Sequence, residues 1–271
     1  MTSHRFALTA TVLATFGFAG PAAAHRLWML PSTTVVSGEE SWVTFDAAAS
    51  NDIFYPDHQP LRAEPEAIAP DGTAAKVENF GVGKFRSTFD LHLTKQGTWK
   101  LALVNGGVMG SYKQGGEEKR LPRGTTADKI ASLIPADATE VKLAETSNRN
   151  EVFVTLGAPT NIVLKPTGRG LEFVPVTHPN DLVANEPAIF GFTVDGKPAA
   201  GLTVTLVPGG GRYRSAVGEM SLTTDAKGQV TVKWPAPGMY WVNATSTGKS
   251  IAIPNADRRL GYTTTLEVLG N

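Results

Sequence analysis

Apolar and polar side chains alternate residue by residue over much of this chain, the pattern of a β-strand with one buried and one wet face. The segments 89–94, 202–206 and 230–234 alternate without a break. Similar patterns predict further strands at 42–45, 98–104, 152–156, 171–176, 189–194, 240–244 and 263–268. Turn signals such as Asp71-Gly72 and Asp195-Gly196 separate these segments.

Two segments depart from this pattern. Residues 125–128 are suited to cap a short helix that runs through Leu133 and is closed by Pro135. Residues 105–124 are rich in Gly, Lys and Glu and predict a long loop, either functional or simply solvated. The predicted fold is therefore all-β, with two immunoglobulin-like β-sandwich modules and one short helix in a long inter-strand excursion.

A break in the strand pattern at 166–171 divides the chain. We expect a leader at 1–24, an N-terminal β-sandwich module at 25–168 and a C-terminal immunoglobulin-like module at 169–271. The second module carries a Gly-Lys-Pro turn at 196–198, Thr-Asp at 224–225 and Pro-Gly-Met-Tyr at 237–240. It thereby resembles carboxypeptidase-regulatory and collagen-adhesin-B repeats, which implies an immunoglobulin-like sandwich and is nearly silent on function.

Composition removes several classes of function. Lys and Arg total 25 and Asp and Glu total 25, so the chain has no basic footprint for nucleic acid. Cysteine is absent, so a bound metal would need His, carboxylate, amine or Met ligands. The sequence also lacks a nucleophile elbow, a zinc-protease helix motif and a phosphate-cradling loop. These absences favour a protein that is not an enzyme.

The first residues have the layout of a secretory signal peptide. Arg5 supplies the positive end, residues 6–20 are uncharged, and Pro-Ala-Ala-Ala follows at 21–24. The uncharged run is shorter than the ~20 residues that cross a bilayer as a helix. We expect an exported, periplasmic protein, with an uncleaved membrane anchor as the alternative.

His25 lies at the expected cleavage point. Cleavage after Ala24 would make it the first residue, and its α-amine and imidazole Nδ1 could then chelate a metal. Cleavage after Ala22 would instead leave a histidine in third position, which suits copper(II) or nickel(II). The alternative is a histidine that merely starts a strand.

Further candidate ligands lie in two loops. His58 sits between two prolines, and neighbouring Asp57 is a second ligand or an orienting group. His178 sits in a loop that could reach back to the N-terminus. For each of these histidines a surface or turn role is the alternative. His92 falls on the polar phase of a strand, so we do not expect it to be a ligand.

One further resemblance covers essentially the whole mature chain. Ala-His-Arg-Leu-Trp-Met-Leu-Pro at 24–31 and Val-Thr-His-Pro at 176–179 resemble the two signatures of a bacterial periplasmic family, domain of unknown function 4198. The resemblance implies a cell-envelope protein, some of whose relatives belong to nickel or cobalt uptake systems or accompany TonB-dependent receptors. It supports His25 and His178 as ligands. Arg26 stands where many relatives carry an acidic residue, which bears on the choice of metal.

Three functions follow as hypotheses. The first is a periplasmic transition-metal-binding protein for nickel or cobalt, with copper or iron as further options, that assists capture or uptake together with an inner-membrane transporter or TonB-dependent receptor components. The second is a structural or interaction module of the cell envelope. The third is a histidine-brace copper oxidase.

Overall fold

The computed structural model describes residues 25–271, so the predicted leader at 1–24 lies outside the described residues. The described chain is built from strands, one single-turn α-helix and three 3-10 helices. The strands are β1 (Arg26–Pro31), β2 (Val35–Val36), β3 (Ser41–Ser50), β4 (Gln59–Pro60), β5 (Glu66–Ile68), β6 (Ala74–Ala75), β7 (Glu78–Val82), β8 (Ser87–Leu93), β9 (Gly97–Gln114), β10 (Glu117–Arg120), β11 (Thr139–Leu156), β12 (Leu171–Pro175), β13 (Pro187–Val194), β14 (Lys197–Pro198), β15 (Thr203–Pro208), β16 (Met220–Thr223), β17 (Gln229–Lys233), β18 (Gly238–Lys249) and β19 (Asp257–Val268). The helices are 3-10 turns at Ala127–Lys129, Ile162–Leu164 and Gly211–Tyr213 and α1 (Ile130–Leu133). None of the helices between residues 25 and 271 has the length and apolar character to cross a membrane.

The strands form three sheets. A five-stranded sheet has the order β1-β3-β8-β7, with β4 also paired to β3. A ten-stranded sheet has the order β16-β15-β18-β19-β11-β9-β5-β6, with β10 on β9 and β2 on β11. A four-stranded sheet has the order β12-β13-β14, with β17 on β13. The all-β prediction is thus confirmed.

The ten-stranded sheet is shared by two sandwiches. On one face, its β9–β11 part packs against the five-stranded sheet around a core that includes Phe45, Phe89, Leu91, Trp99, Leu101, Val152 and Val154. On the other face, its β15–β18–β19 part packs against the four-stranded sheet around Phe173, Phe190, Phe192, Trp234, Tyr240, Val242 and Tyr262. One sheet can contribute to both sandwiches because successive side chains of β11 point to opposite faces. Val152 and Val154 enter the core against the five-stranded sheet, and Phe153 enters the core against the four-stranded sheet.

The sheet crosses the predicted module boundary. Residues 165–170 form the loop before β12, but β11 of the first module pairs in parallel with β19 of the second along Ala144–Val152. The division at 168 and 169 stays a prediction about domains. The hydrogen bonds between β11 and β19 nevertheless join the two sandwiches through the backbone.

The predicted loop at 105–124 is wrong. β9 continues unbroken to Gln114 and β10 follows after a tight turn, both in the ten-stranded sheet. Residues 139–150, which carried no strand prediction, supply the partner strand in β11. The cause is that Val108 is the one buried residue at 104–114 and none is buried at 139–149. These segments therefore lack hydrophobic alternation, and cross-strand hydrogen bonds fix their structure. The predicted short helix is confirmed as the 3-10 turn at Ala127–Lys129 followed by α1.

Candidate metal centre at the N-terminal strand

The five-stranded sheet brings the two ends of the candidate site together. β3 pairs with β1 on one side, where Ala49 lies opposite Leu27, and with β4 on the other, where Ala49 lies opposite Gln59. His25 and His58 directly precede β1 and β4 in the chain. They therefore lie on either side of the last residue of β3, although 33 positions separate their numbers, 25 and 58.

Asp57 closes the loop between β3 and β4. Its carboxylate accepts hydrogen bonds from the backbone N–H of Asn51 at 3.0 Å and from the Asn51 side-chain amide at 3.2 Å. Both oxygens are thereby engaged within the loop. This contact of Asp57 holds the loop that carries His58, and its roles as a ligand or as an orienting group for an imidazole stay predictions.

A small apolar cluster fixes β1 and this loop to the second sandwich. Trp28, Ala48 and Ile53 from the first module pack against Val207 and Trp241 from the second. The Trp241 indole N–H donates to the Leu27 carbonyl at 2.8 Å, and the Trp28 indole N–H donates to Ser50 Oγ at 2.7 Å. These contacts hold the start of the described chain on the ten-stranded sheet, so His25 has a defined place.

The imidazoles of His25 and His58 stack on each other. Their ring centroids are 3.6 Å apart and their planes differ by 19°. Both residues are exposed, and neither ring hydrogen-bonds another group within residues 25–271. Metal–imidazole bonds are about 2.0–2.1 Å long, so two rings this close are within reach of one cation once they turn about their side-chain torsions.

Two imidazoles alone do not make a full ligand set. Over residues 25–271 no cluster of three or more His, Asp or Glu side chains has an arrangement that could hold a metal ion. The third nitrogen would be the α-amine of His25, which exists only if cleavage follows Ala24. An amine and two imidazoles are nitrogen donors of the kind that suit nickel, cobalt and copper.

His178 is not brought to this site. Its Nδ1 accepts the backbone N–H of Asn180 at 3.1 Å, so the neutral ring carries its proton on Nε2 and donates to the Thr160 carbonyl at 3.2 Å. Thr98 Oγ1 lies 3.1 Å from the same Nε2. Burial lowers the pKa of His178, in keeping with a neutral ring.

The place of His178 in the fold separates it from His25. His178 contacts Thr98 near the start of β9, whereas the groove beside His25 is reached at Leu103, roughly 17 Å along the strand at 3.4 Å per residue. Both ring nitrogens are in use, so His178 has no lone pair to offer a metal. Within the described chain it stabilises a junction of β9, β11 and the 176–180 loop.

His92 lies at the far end of the first sheet. Its ring stacks on Trp42 with centroids 4.1 Å apart, and its Nε2 is 3.3 Å from a Glu40 carboxylate oxygen. This agrees with the expectation that His92 faces the polar side of its strand. It serves as a natural control for histidine substitutions.

A polar groove that the sequence analysis did not predict lies beside His25. The groove is lined by His25, Arg26 and Leu27 and by residues of β9, β11, β18 and β19, among them Asn105, Asn148, Asn150 and Asn243. Each asparagine sits on a strand, where this residue type is depleted. That depletion is the only signal by which the sequence could have pointed to them.

The sequence model of a family described as "Domain of unknown function (DUF4198)" matches residues 22–248. No curated protein matches the chain.

Solved structures give weak likenesses. The D0-D1 domain of Intimin has a TM-score of 0.23 and 13% identity, with 89% of this chain and 97% of that chain covered. The D00-D0 domain of Intimin has a TM-score of 0.21 and 11% identity, with 90% and 100% covered. The two tandem V-type regions of VCBP3, a v-region-containing chitin binding protein, have a TM-score of 0.20 and 10% identity, with 88% and 98% covered. At such scores these likenesses support no conclusion about this chain.

Proposed function

Since the chain belongs to the family described as a domain of unknown function (DUF4198), which names no chemistry, we propose its function from the site: it binds a transition-metal ion at its mature N-terminus. It acts in the cell envelope, in metal capture or uptake, and binds without turnover. Nickel or cobalt is the favoured ion, with copper or iron as alternatives.

The stacked pair of His25 and His58 carries the proposal. Residues remote in sequence meet with ring centroids 3.6 Å apart, on a strand end fixed by two tryptophan hydrogen bonds. The imidazole nitrogens of both residues are free of partners within residues 25–271. Signal cleavage after Ala24 would add the α-amine, whose ordinary pKa near 8 lets a metal displace its proton at neutral pH.

The exposure of the pair favours exchange over permanent binding. Structural metal sites are closed, with all positions filled by protein ligands. His25 and His58 are exposed at the surface, so a second protein could approach the ion and accept it. An inner-membrane transporter or a component of a TonB-dependent receptor is the proposed recipient. The second sandwich serves as the support to which β1 is fastened.

The proposal is tested on the exported protein. Mass spectrometry of the purified periplasmic form gives its first residue, and calorimetric titration with nickel, cobalt and copper gives its affinities. We expect a chain that begins at His25, and a loss of affinity of at least about tenfold, or 1.4 kcal/mol, for His25→Ala and for His58→Ala. A variant with one alanine ahead of His25 should lose affinity to a similar extent, because the α-amine is displaced.

His92→Ala is the matched control, since this histidine lies in the same sheet at the opposite end of β3. It should bind each metal as the wild type does. Equal and weak binding by the wild type, His25→Ala and His58→Ala would remove the proposal and leave a structural envelope module. A chain that begins far from His25 would remove the amine from the ligand set.

A further inference from the structure

A patch made mostly of polar residues crosses four strands of the ten-stranded sheet beside His25. The strand register aligns it in two rows, one of Asn105, Asn148, Gly261 and Thr245, and one of Leu103, Asn150, Thr263 and Asn243. Residues paired across strands point to the same face, and all eight line one groove. We call this patch the amide floor.

Asn150 is the residue in the amide floor that the fold itself does not explain. It is 2% exposed, and neither its side-chain nitrogen nor its side-chain oxygen has a hydrogen-bond partner in the described chain. A buried unpaired amide costs free energy. By contrast, Asn180 is 7% exposed, accepts from Thr155 and donates to the Phe153 carbonyl.

Among the asparagines of the amide floor, Asn105 and Asn148 are exposed. Asn148 lies opposite Gly261, and a Cβ at Gly261 would overlap Asn148 Oδ1. The missing side chain therefore lets the Asn148 amide lie across the neighbouring strand. Asn243 uses its side-chain nitrogen to donate to the Tyr262 carbonyl at 3.1 Å, which fixes its orientation.

The charges around the groove argue against a charged ligand. None of the described residues that line it is acidic. The two arginines in its lining are already paired, Arg26 with Glu219 at 3.0 Å and Arg149 with Glu151 at 3.0 Å. A cation would find no carboxylate on the amide floor, and an anion would find no free guanidinium.

Size and chemistry together identify a class of ligand. The groove has a volume of about 450 Å³, within the range of roughly 300–1,000 Å³ that is typical of small-molecule sites. An amide offers a donor and an acceptor side by side, which matches a hydroxyl group that both donates and accepts. Leu27, Leu103 and Trp241 also line the groove and give it apolar edges.

We propose that the amide floor is a binding site for a neutral saccharide. The exposed Asn105 and Asn148 meet the sugar first, and the buried, unpaired amide of Asn150 turns toward the groove to bond its hydroxyls. This inference goes beyond metal binding and does not rest on it. The two sites are neighbours, because His25 lines the same groove. Binding is therefore measured with a chelator present, and in the His58→Ala variant as well as the wild type.

The test uses maltotriose, cellotriose and tri-N-acetylchitotriose as probes on the mature protein. Two-dimensional nitrogen-15 spectra resolve the side-chain NH₂ groups of asparagine, and we expect the Asn150 signals to shift with at least one trisaccharide. Asn150→Ala should weaken that binding by about tenfold or more. It should leave stability unchanged or slightly higher, because it removes a buried unsatisfied group.

Asn180→Ala is the matched control, a buried asparagine whose side-chain oxygen and nitrogen each have a hydrogen-bond partner. It should lower stability and leave sugar binding intact. The proposal is overturned if none of the three sugars, at tens of millimolar, shifts the Asn150 amide. It is equally overturned if Asn150→Ala binds as the wild type does, or is destabilised as much as Asn180→Ala, since Asn150 would then be structural.

Discussion

Replacement of His178 by alanine is expected to destabilise the protein without changing its affinity for metal. The substitution leaves the Asn180 N–H and the Thr160 carbonyl without their partners. An unsatisfied buried polar group costs about 1–3 kcal/mol. His178 is only half buried, so water reaches part of this pair, and we expect a total loss of about 1–3 kcal/mol. For a chain of 150–250 residues, each kcal/mol lowers the Tm by about 2–4 °C.

The pH dependence of this loss follows from the depressed pKa. Burial lowers the pKa of His178 below the ordinary histidine value of 6.5, so the unfolded chain binds a proton more readily than the native one. The stabilisation is therefore fully present above pH 6.5 and declines as pH falls below that value. The difference in free energy of unfolding between wild type and His178→Ala should shrink over the same window.

Urea denaturation at several pH values measures this difference, and metal titration at neutral pH measures affinity. His92→Gln is the control, because His92 stacks on Trp42 beside Glu40 and lies outside the His178 network. If the difference in free energy of unfolding between the wild type and His178→Ala grows as pH falls, the conclusion that the native His178 ring is neutral is refuted. If His178→Ala weakens metal binding as much as His25→Ala does, the purely structural role assigned to His178 is refuted.

Three further predictions concern the loop and the buried charges. Asp57→Ala should weaken metal binding several-fold by titration while changing the free energy of unfolding by less than about 1 kcal/mol, because it only frees the loop that carries His58. Tyr262→Phe removes a hydroxyl that donates to buried Glu151 at 2.9 Å, and calorimetry should show a loss of about 1.5–3 kcal/mol. Burial alone would raise the pKa of Glu172, but hydrogen bonds from the 167–168 segment outweigh it and lower that pKa. Its stabilisation is present above the ordinary glutamate value of 4.5 and is lost as pH falls below it. In urea denaturation at several pH values, the free energy of unfolding of Glu172→Gln should therefore fall less in acid than that of the wild type.

The strand prediction succeeded on strands such as β8, whose buried and partly exposed residues alternate strictly. β8 buries Phe89, Leu91 and Leu93 and leaves Asp90 and His92 partly exposed, as the alternation indicated. It failed along the outer parts of β9 and β11, where Asn105 pairs with Asn148 and few residues are buried. A strand held by its neighbour's hydrogen bonds leaves little trace in its own hydrophobic pattern.

The candidate site was also predictable only in part. The sequence marks His25 through its place at the expected cleavage point and His58 through its proline-bounded loop. It does not show that these two rings meet, nor that His178 has both nitrogens in use elsewhere. Proximity of distant residues depends on which strands pair, and that information is not local.

By itself the sequence determined that this chain is β-rich, lacks cysteine and carries balanced charge, because composition and period-two alternation are local properties. Only the tertiary structure decided that one ten-stranded sheet serves both sandwiches and that β11 and β19 run in parallel across the predicted boundary. The same register places the polar residues of four strands beside His25. Cross-strand register is set by contacts between segments far apart in the chain, so no single segment encodes it.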